Sequence, residues 1–72
     1  MFKSNVRELM DKKNKTVRAL SKETALSDTT IFRATQDDTI GACQLNTLAR
    51  IGAALGVKTK RLYEEVEENE TK

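Results

Sequence analysis

Thr16-Val-Arg-Ala-Leu-Ser-Lys-Glu-Thr-Ala-Leu-Ser-Asp-Thr-Thr-Ile-Phe-Arg33 is the stretch whose reading decides the fold. Val17, Leu20, Ser21 and Thr24 recur at helical spacing with Ala19 beside them, and Thr16 is placed to cap them by accepting from a free backbone N–H. The pattern predicts a helix running to about Ala25. After a break at Ala25-Leu26, Ser27 is a favoured cap, and Asp28 puts a negative charge in the first turn of the next helix, where it suits the helix dipole. Ile31 and Ala34 share the inward stripe of that second helix, which leaves Asp28, Thr29, Phe32, Arg33 and Gln36 elsewhere on its circumference. Leu20 and Leu26 are expected to lock against Ile31, with small Ser21 where the two helices approach. Such a pair, joined by a few residues, describes a helix-turn-helix, whose second helix can enter a DNA major groove.

Outward from this pair, Val6, Leu9 and Met10 form one stripe of an earlier helix that ends near Asp11-Lys12-Lys13-Asn14. Downstream, Thr35 to Gln44 holds Asp37-Asp38-Thr39 and Gly41 without a sustained apolar period and reads as a connecting loop. Leu45, Leu48, Ala49, Ile51, Gly52 and Leu55 then make a wide apolar face, closed by Gly56 as a left-handed stop with Val57 behind it. Thr59 is expected to cap a last helix containing Leu62, Tyr63 and Val66. The resulting fold class is all-α, a compact bundle of four to five short helices with no β structure. It forms one domain over residues 1–67, followed by a flexible acidic tail at 68–72.

Composition narrows the function. A chain of 72 residues holds one domain, and 38% hydrophobic with 33% charged residues and no proline suits a helix-rich globular protein. No apolar run approaches the ~18 residues of a membrane span, and the N-terminus lacks a signal-peptide core, so the expected location is cytoplasmic. With no histidine and a single cysteine, Cys43, the chain offers neither a Cys/His zinc site nor a His-dependent acid–base pair, and no cofactor is expected. It also lacks a phosphate-cradling glycine loop, so an enzyme is the least favoured class. Charge is unevenly distributed: residues 1–63 carry twelve Lys/Arg against six Asp/Glu, whereas residues 64–72 carry five Glu against one Lys. A basic body suits a polyanion, because each cation seated on a phosphate releases condensed counterions.

Over residues 5–66 the sequence resembles the Cro and phage-repressor class of helix-turn-helix proteins, often called the XRE family. The resemblance rests on Leu20, Ser21, Lys22, Glu23, Thr24, Ala25, Leu26, Ser27, Thr30, Ile31 and Arg33, and on residues 45–57 with the closing Leu62-Tyr63 pair. The chain departs from the family pattern at Val17, where Gln is usual, and at Ala25, where Gly commonly makes the turn. It also places Asp37 and Asp38 just past the second helix of the motif, where carboxylates would oppose DNA.

The resemblance implies a lambda-repressor-like bundle and a sequence-specific DNA-binding transcriptional regulator, repressor-like and of the kind encoded by phages and mobile elements. In it the helix at about 27–35 enters the major groove of double-stranded DNA. By position, Asp28, Thr29, Thr30, Phe32 and Arg33 correspond to base readers. An Arg fork matches guanine O6 and N7, a carboxylate accepts from cytosine N4, and Phe or a Thr methyl touches the thymine methyl. Lys15, Thr16, Arg18 and Gln36 are the candidates for phosphate contacts, which set register on the duplex. The resemblance further implies a homodimer on a two-fold site. The alternative is a protein-interaction module, such as an antitoxin or an antirepressor, that engages a protein partner through the acidic C-terminus.

Overall fold

A computed structural model describes residues 1–67 of the chain, and the expected tail at 68–72 lies outside them. Five helices, α1 (Val6–Lys12), α2 (Val17–Thr24), α3 (Asp28–Ala34), α4 (Asp37–Ile40) and α5 (Leu45–Leu55), are followed by a 3₁₀ turn at Thr59–Leu62. Two short strands, β1 (Phe2–Ser4) and β2 (Tyr63–Glu65), bring the two ends together.

The core is assembled from the stripes that the periodicity predicts. Val6, Leu9 and Met10 come from α1, Leu20 from α2, Ile31 and Ala34 from α3, and Leu48, Ile51 and Leu55 from α5. Leu45 and Ala49 depart from expectation and are exposed, Leu45 to 69%. Leu45 opens the first turn of α5, beyond the part that packs on α2 and the 3₁₀ turn, and Ala49 falls one step around the helix from the buried stripe.

Left-handed residues end three of the helices. Asn14 closes α1 at φ 57° while the amide of Lys15 reaches back to the Met10 carbonyl at 2.9 Å. Gly56 does the same for α5 at φ 74°, with the Val57 amide on the Gly52 carbonyl at 2.9 Å. The third is Ala25, which ends α2 at φ 63° and ψ 22°, a conformation in which its Cβ crowds the backbone. Side chains hold it there. The Ser21 hydroxyl donates to the Leu26 carbonyl, and Thr24 Oγ1 donates to the Leu20 carbonyl at 2.6 Å while accepting from the Leu26 amide at 3.3 Å. From α5, Arg50 donates to the Thr24 carbonyl at 3.4 Å. The turn joining α2 to α3 is therefore clamped by hydroxyls rather than relaxed by a glycine.

Three expectations need correction. First, residues 37–40 of the expected loop form a helical turn. Gln36 enters it extended, Asp37 and Asp38 sit at its positive end, and Ile40 is buried to 2% exposure. A single apolar residue in one turn leaves no period to read. Second, the chain contains β structure: β1 and β2 pair antiparallel with Phe2 opposite Glu65, Lys3 opposite Glu64 and Ser4 opposite Tyr63. Third, Thr59 lies inside a 3₁₀ turn entered from Lys58 without a side-chain cap, and the chain straightens at Tyr63. The Leu62 carbonyl there accepts from the Asn5 amide at 2.8 Å, so the N-terminal segment takes up the backbone groups that a continuing helix would have used.

Asp37 explains the acidic pair. Its Oδ1 accepts from the Ser4 amide at 2.7 Å, and the Ser4 hydroxyl donates to the Ala34 carbonyl at 2.6 Å, so both ends of the α3–α4 connection are tied to β1.

Two predictions follow from these contacts. Ala25→Gly removes the left-handed penalty, of about 1–2 kcal/mol, against a gain in unfolded-state freedom of about 0.4–1 kcal/mol. A thermal melt should show a rise of a few degrees, and an unchanged or lower midpoint would mean that the hydroxyl clamp has already absorbed the strain. Asp37→Ala should cost about 1–2 kcal/mol in urea denaturation and speed hydrogen exchange at the Ser4 amide; full protection of that amide in the variant would refute the tie.

Candidate nucleic-acid interface

Helix α3 is short, and its two sides divide sharply. Ser27 enters it extended, its Oγ accepts from the Thr30 amide at 3.1 Å, and the Ser27 and Thr30 hydroxyls lie 2.9 Å apart. Asp28 occupies the first turn and Arg33 the last, each at the end of the helix dipole that favours its charge. Ile31 and Ala34 are fully buried and anchor the helix on the core. One continuous arc of Asp28, Thr29, Phe32 and Arg33 is left exposed. Phe32 is 52% exposed, so this aromatic does not fold back onto the core.

Of the five expected base readers, four share this arc. Thr30 does not: it is half-buried and its hydroxyl is engaged with Ser27, so it serves the start of the helix.

The expected phosphate contacts are more dispersed. The Lys15 ammonium lies on the Glu23 carboxylate, 2.7 and 2.8 Å from its two oxygens. Thr16 Oγ1 accepts from the Ala19 amide at 3.0 Å, which makes it the predicted cap of α2. Arg18 is largely exposed and its Nε lies 3.9 Å from Asp28 Oδ2, a loose pair bridging α2 and α3 across open solvent. Exposed pairs of this kind contribute at most about 1 kcal/mol, so Arg18 can be drawn to another anion at little cost. Gln36 is exposed at the entry to α4, and its amide donates to Thr35 Oγ1 at 3.1 Å.

The periodicity does not reveal a shallow groove beside α3, lined by Thr30, Arg33, Thr39, Cys43, Gln44 and Thr47. Gln44 precedes α5 without capping it by a side-chain bond, and it lines this groove together with Arg33. Only the fold brings α3, α4 and the start of α5 around one groove, and the one local signal was a polar Gln44 before an apolar stripe. Cys43 is half-buried there, its thiol donating to the Thr39 carbonyl at 3.6 Å. Burial pushes this thiol above its ordinary pKa, and the positive charge of Arg33 pulls less strongly the other way.

Among the described residues, no group of three or more His, Cys, Asp or Glu side chains could hold a metal ion, and no helix is long and apolar enough to cross a membrane.

Comparison with known proteins places these features in one family. The sequence model of the Cro/C1-type HTH DNA-binding domain matches residues 5–67. No curated protein and no solved structure matches the chain.

The Ser27 cap sets where the exposed arc begins. Ser27→Ala should lower stability by about 1 kcal/mol, a fall in melting temperature of roughly 4–8 °C for a domain of this size. A melt unchanged within a degree would show that the Thr30 amide does not depend on the cap.

Proposed function

Since this chain belongs to the Cro/C1-type helix-turn-helix family of DNA-binding domains, we propose that it is a sequence-specific transcriptional regulator, repressor-like, that acts in the cytoplasm with α3 in the major groove. The observation that carries this reading is the exposed arc of Asp28, Thr29, Phe32 and Arg33 on a helix whose opposite side is fully buried. A DNA groove supplies partners for each of these groups. Arg33 offers a planar fork to guanine, Asp28 accepts from cytosine, and Phe32 and Thr29 offer apolar contact to a thymine methyl. Burying Phe32 against the bases also removes apolar surface from water.

Arg18 is the leading phosphate contact, because its pairing with Asp28 is loose and exposed. Thr16 and Gln36 flank the helix pair with hydroxyl and amide groups. Lys15 contributes only after leaving Glu23. The domain spans residues 1–67 with an acidic tail at 68–72, and it binds as a homodimer to a two-fold site with half-sites about one helical turn, ~34 Å, apart.

Selection of the full chain on a random-duplex pool, sequenced at two salt concentrations, tests the reading. An enriched palindromic site supports it, and no enrichment at low salt overturns it. On the selected site, Arg33→Ala should relax preference at one base position at a cost of about 1–3 kcal/mol. Arg18→Ala should weaken binding to all sequences alike and reduce the salt slope by about one. Indistinguishable effects would overturn the division between reading and positioning.

A further inference from the structure

The two-stranded sheet has one closed edge and one open edge. Its ladder joins Met1 with Val66 and Asn5 with Leu62, at 2.8 Å in both cases, so the alternation of an antiparallel pair turns the backbone groups of Phe2 and Ser4 outward from β1 and those of Tyr63 and Glu65 outward from β2. On the β1 side the edge is covered: the Asp37 carboxylate occupies the Ser4 amide, and Phe2 packs on Gly41, where an added Cβ would lie 2.7 Å from its ring. On the β2 side no hydrogen bond takes up the outward groups of Tyr63 or Glu65 among the described residues. Open edges of this sort are templates for another strand.

Three features say what such a strand would be. First, the edge is acidic. Glu65 and Glu67 are exposed there, Glu64 is exposed with its Oε2 accepting from the Asn5 side-chain amide at 3.2 Å, and the sequence continues with Glu68 and Glu70, while the rest of the chain is basic. Second, that charge works against a second copy of the chain. An antiparallel self-pairing that joins three residues or more sets Glu65 against its own copy, Glu64 against its own copy, or Glu65 against Glu67, and like charges directly opposite destabilise a sheet. Third, an apolar cavity of about 190 Å³ lies beneath the same sheet, lined by Phe2, Gly41, Cys43, Leu45, Leu48 and Tyr63. It is smaller than the several hundred Å³ of a small-molecule site and suits one side chain. Leu45, exposed to 69%, stands at its rim.

We infer that the outer edge of β2 receives an extended basic segment of a partner protein as a third strand, with Lys or Arg opposite Glu64, Glu65 and Glu67 and one large apolar side chain beside Tyr63 in the cavity. Main-chain hydrogen bonds to Tyr63 and Glu65 supply the affinity, and the carboxylates and the cavity supply the selection. Along the surface α3 adjoins α4, α4 adjoins β1 and β1 pairs with β2, so two elements separate the strand edge from α3, while the cavity shares Cys43 with the groove beside Arg33. The inference does not rest on the DNA reading.

The test uses the full chain and two short capped probe peptides, Lys-Val-Lys-Lys-Leu and its reverse, which cover the antiparallel and parallel directions. One of them should bind saturably and slow amide exchange at Tyr63 and Glu65. A version with alternate amides N-methylated and a version with Glu in place of Lys should both fail. Glu65→Lys, an exposed change, should weaken binding several-fold with the melting temperature unchanged within a few degrees. Four results would overturn the inference: neither probe binding, equal binding of the N-methylated probe, protection appearing on another surface, or protection of Tyr63 and Glu65 in the free protein that grows with its concentration. The last would mean that a second copy occupies the edge despite its charge.

Discussion

The direction in which α3 leaves α2 depends on a single left-handed residue, Ala25, and on the Ser21 and Thr24 hydroxyls that hold the chain around it. With that turn fixed, Leu20 and Ile31 meet in the core and Asp28, Thr29, Phe32 and Arg33 are left on one outer arc. A different exit angle would keep the same helices and the same arc but aim that arc elsewhere. Glycine would meet the backbone requirement with less strain, whereas alanine meets it because neighbouring polar groups over-determine the conformation. Arg50, reaching the Thr24 carbonyl from α5, ties this local device to the rest of the core.

Much of this was legible in the sequence because it rests on local signals. Caps at Thr16 and Ser27, the apolar stripes of α1, α2, α3 and α5, and the stop at Gly56 each declare themselves within one or two turns. The outward position of Asp28, Thr29, Phe32 and Arg33 followed from the inward position of Ile31 and Ala34. What escaped has a common cause. The strands and α4 are three or four residues long and are defined by partners far away in the chain, Ser4 with Tyr63 and Ser4 with Asp37. No periodicity develops in so few residues, and Leu62, Tyr63 and Val66 satisfy a helical spacing as readily as the extended path they take. In the candidate site, Lys15 was the least legible residue, since its engagement by Glu23 eight positions on requires the end of α1 to lie beside α2.

The acidic pair Asp37-Asp38 shows how a residue with an unfavourable functional reading can have a structural one. Just past the helix proposed to read DNA, two carboxylates look like an obstacle to a polyanion. In the fold, Asp37 spends its charge on the backbone of β1 and on the positive end of α4. Its oxygen serves the N-terminal strand, which the periodicity did not reveal.

The ladder between β1 and β2 also has a bearing on the order of assembly. Met1 and Val66, bonded across it, are 65 residues apart in sequence, whereas the contact between α2 and α3 spans a short turn. Bringing such distant ends together costs roughly 3–4 kcal/mol of chain entropy by the logarithmic law for loops, and a few strand bonds repay it only once the intervening helices have shortened the path. The helix pair gathers from neighbours in the chain and the ladder does not, so the sheet is expected to close after the helix pair.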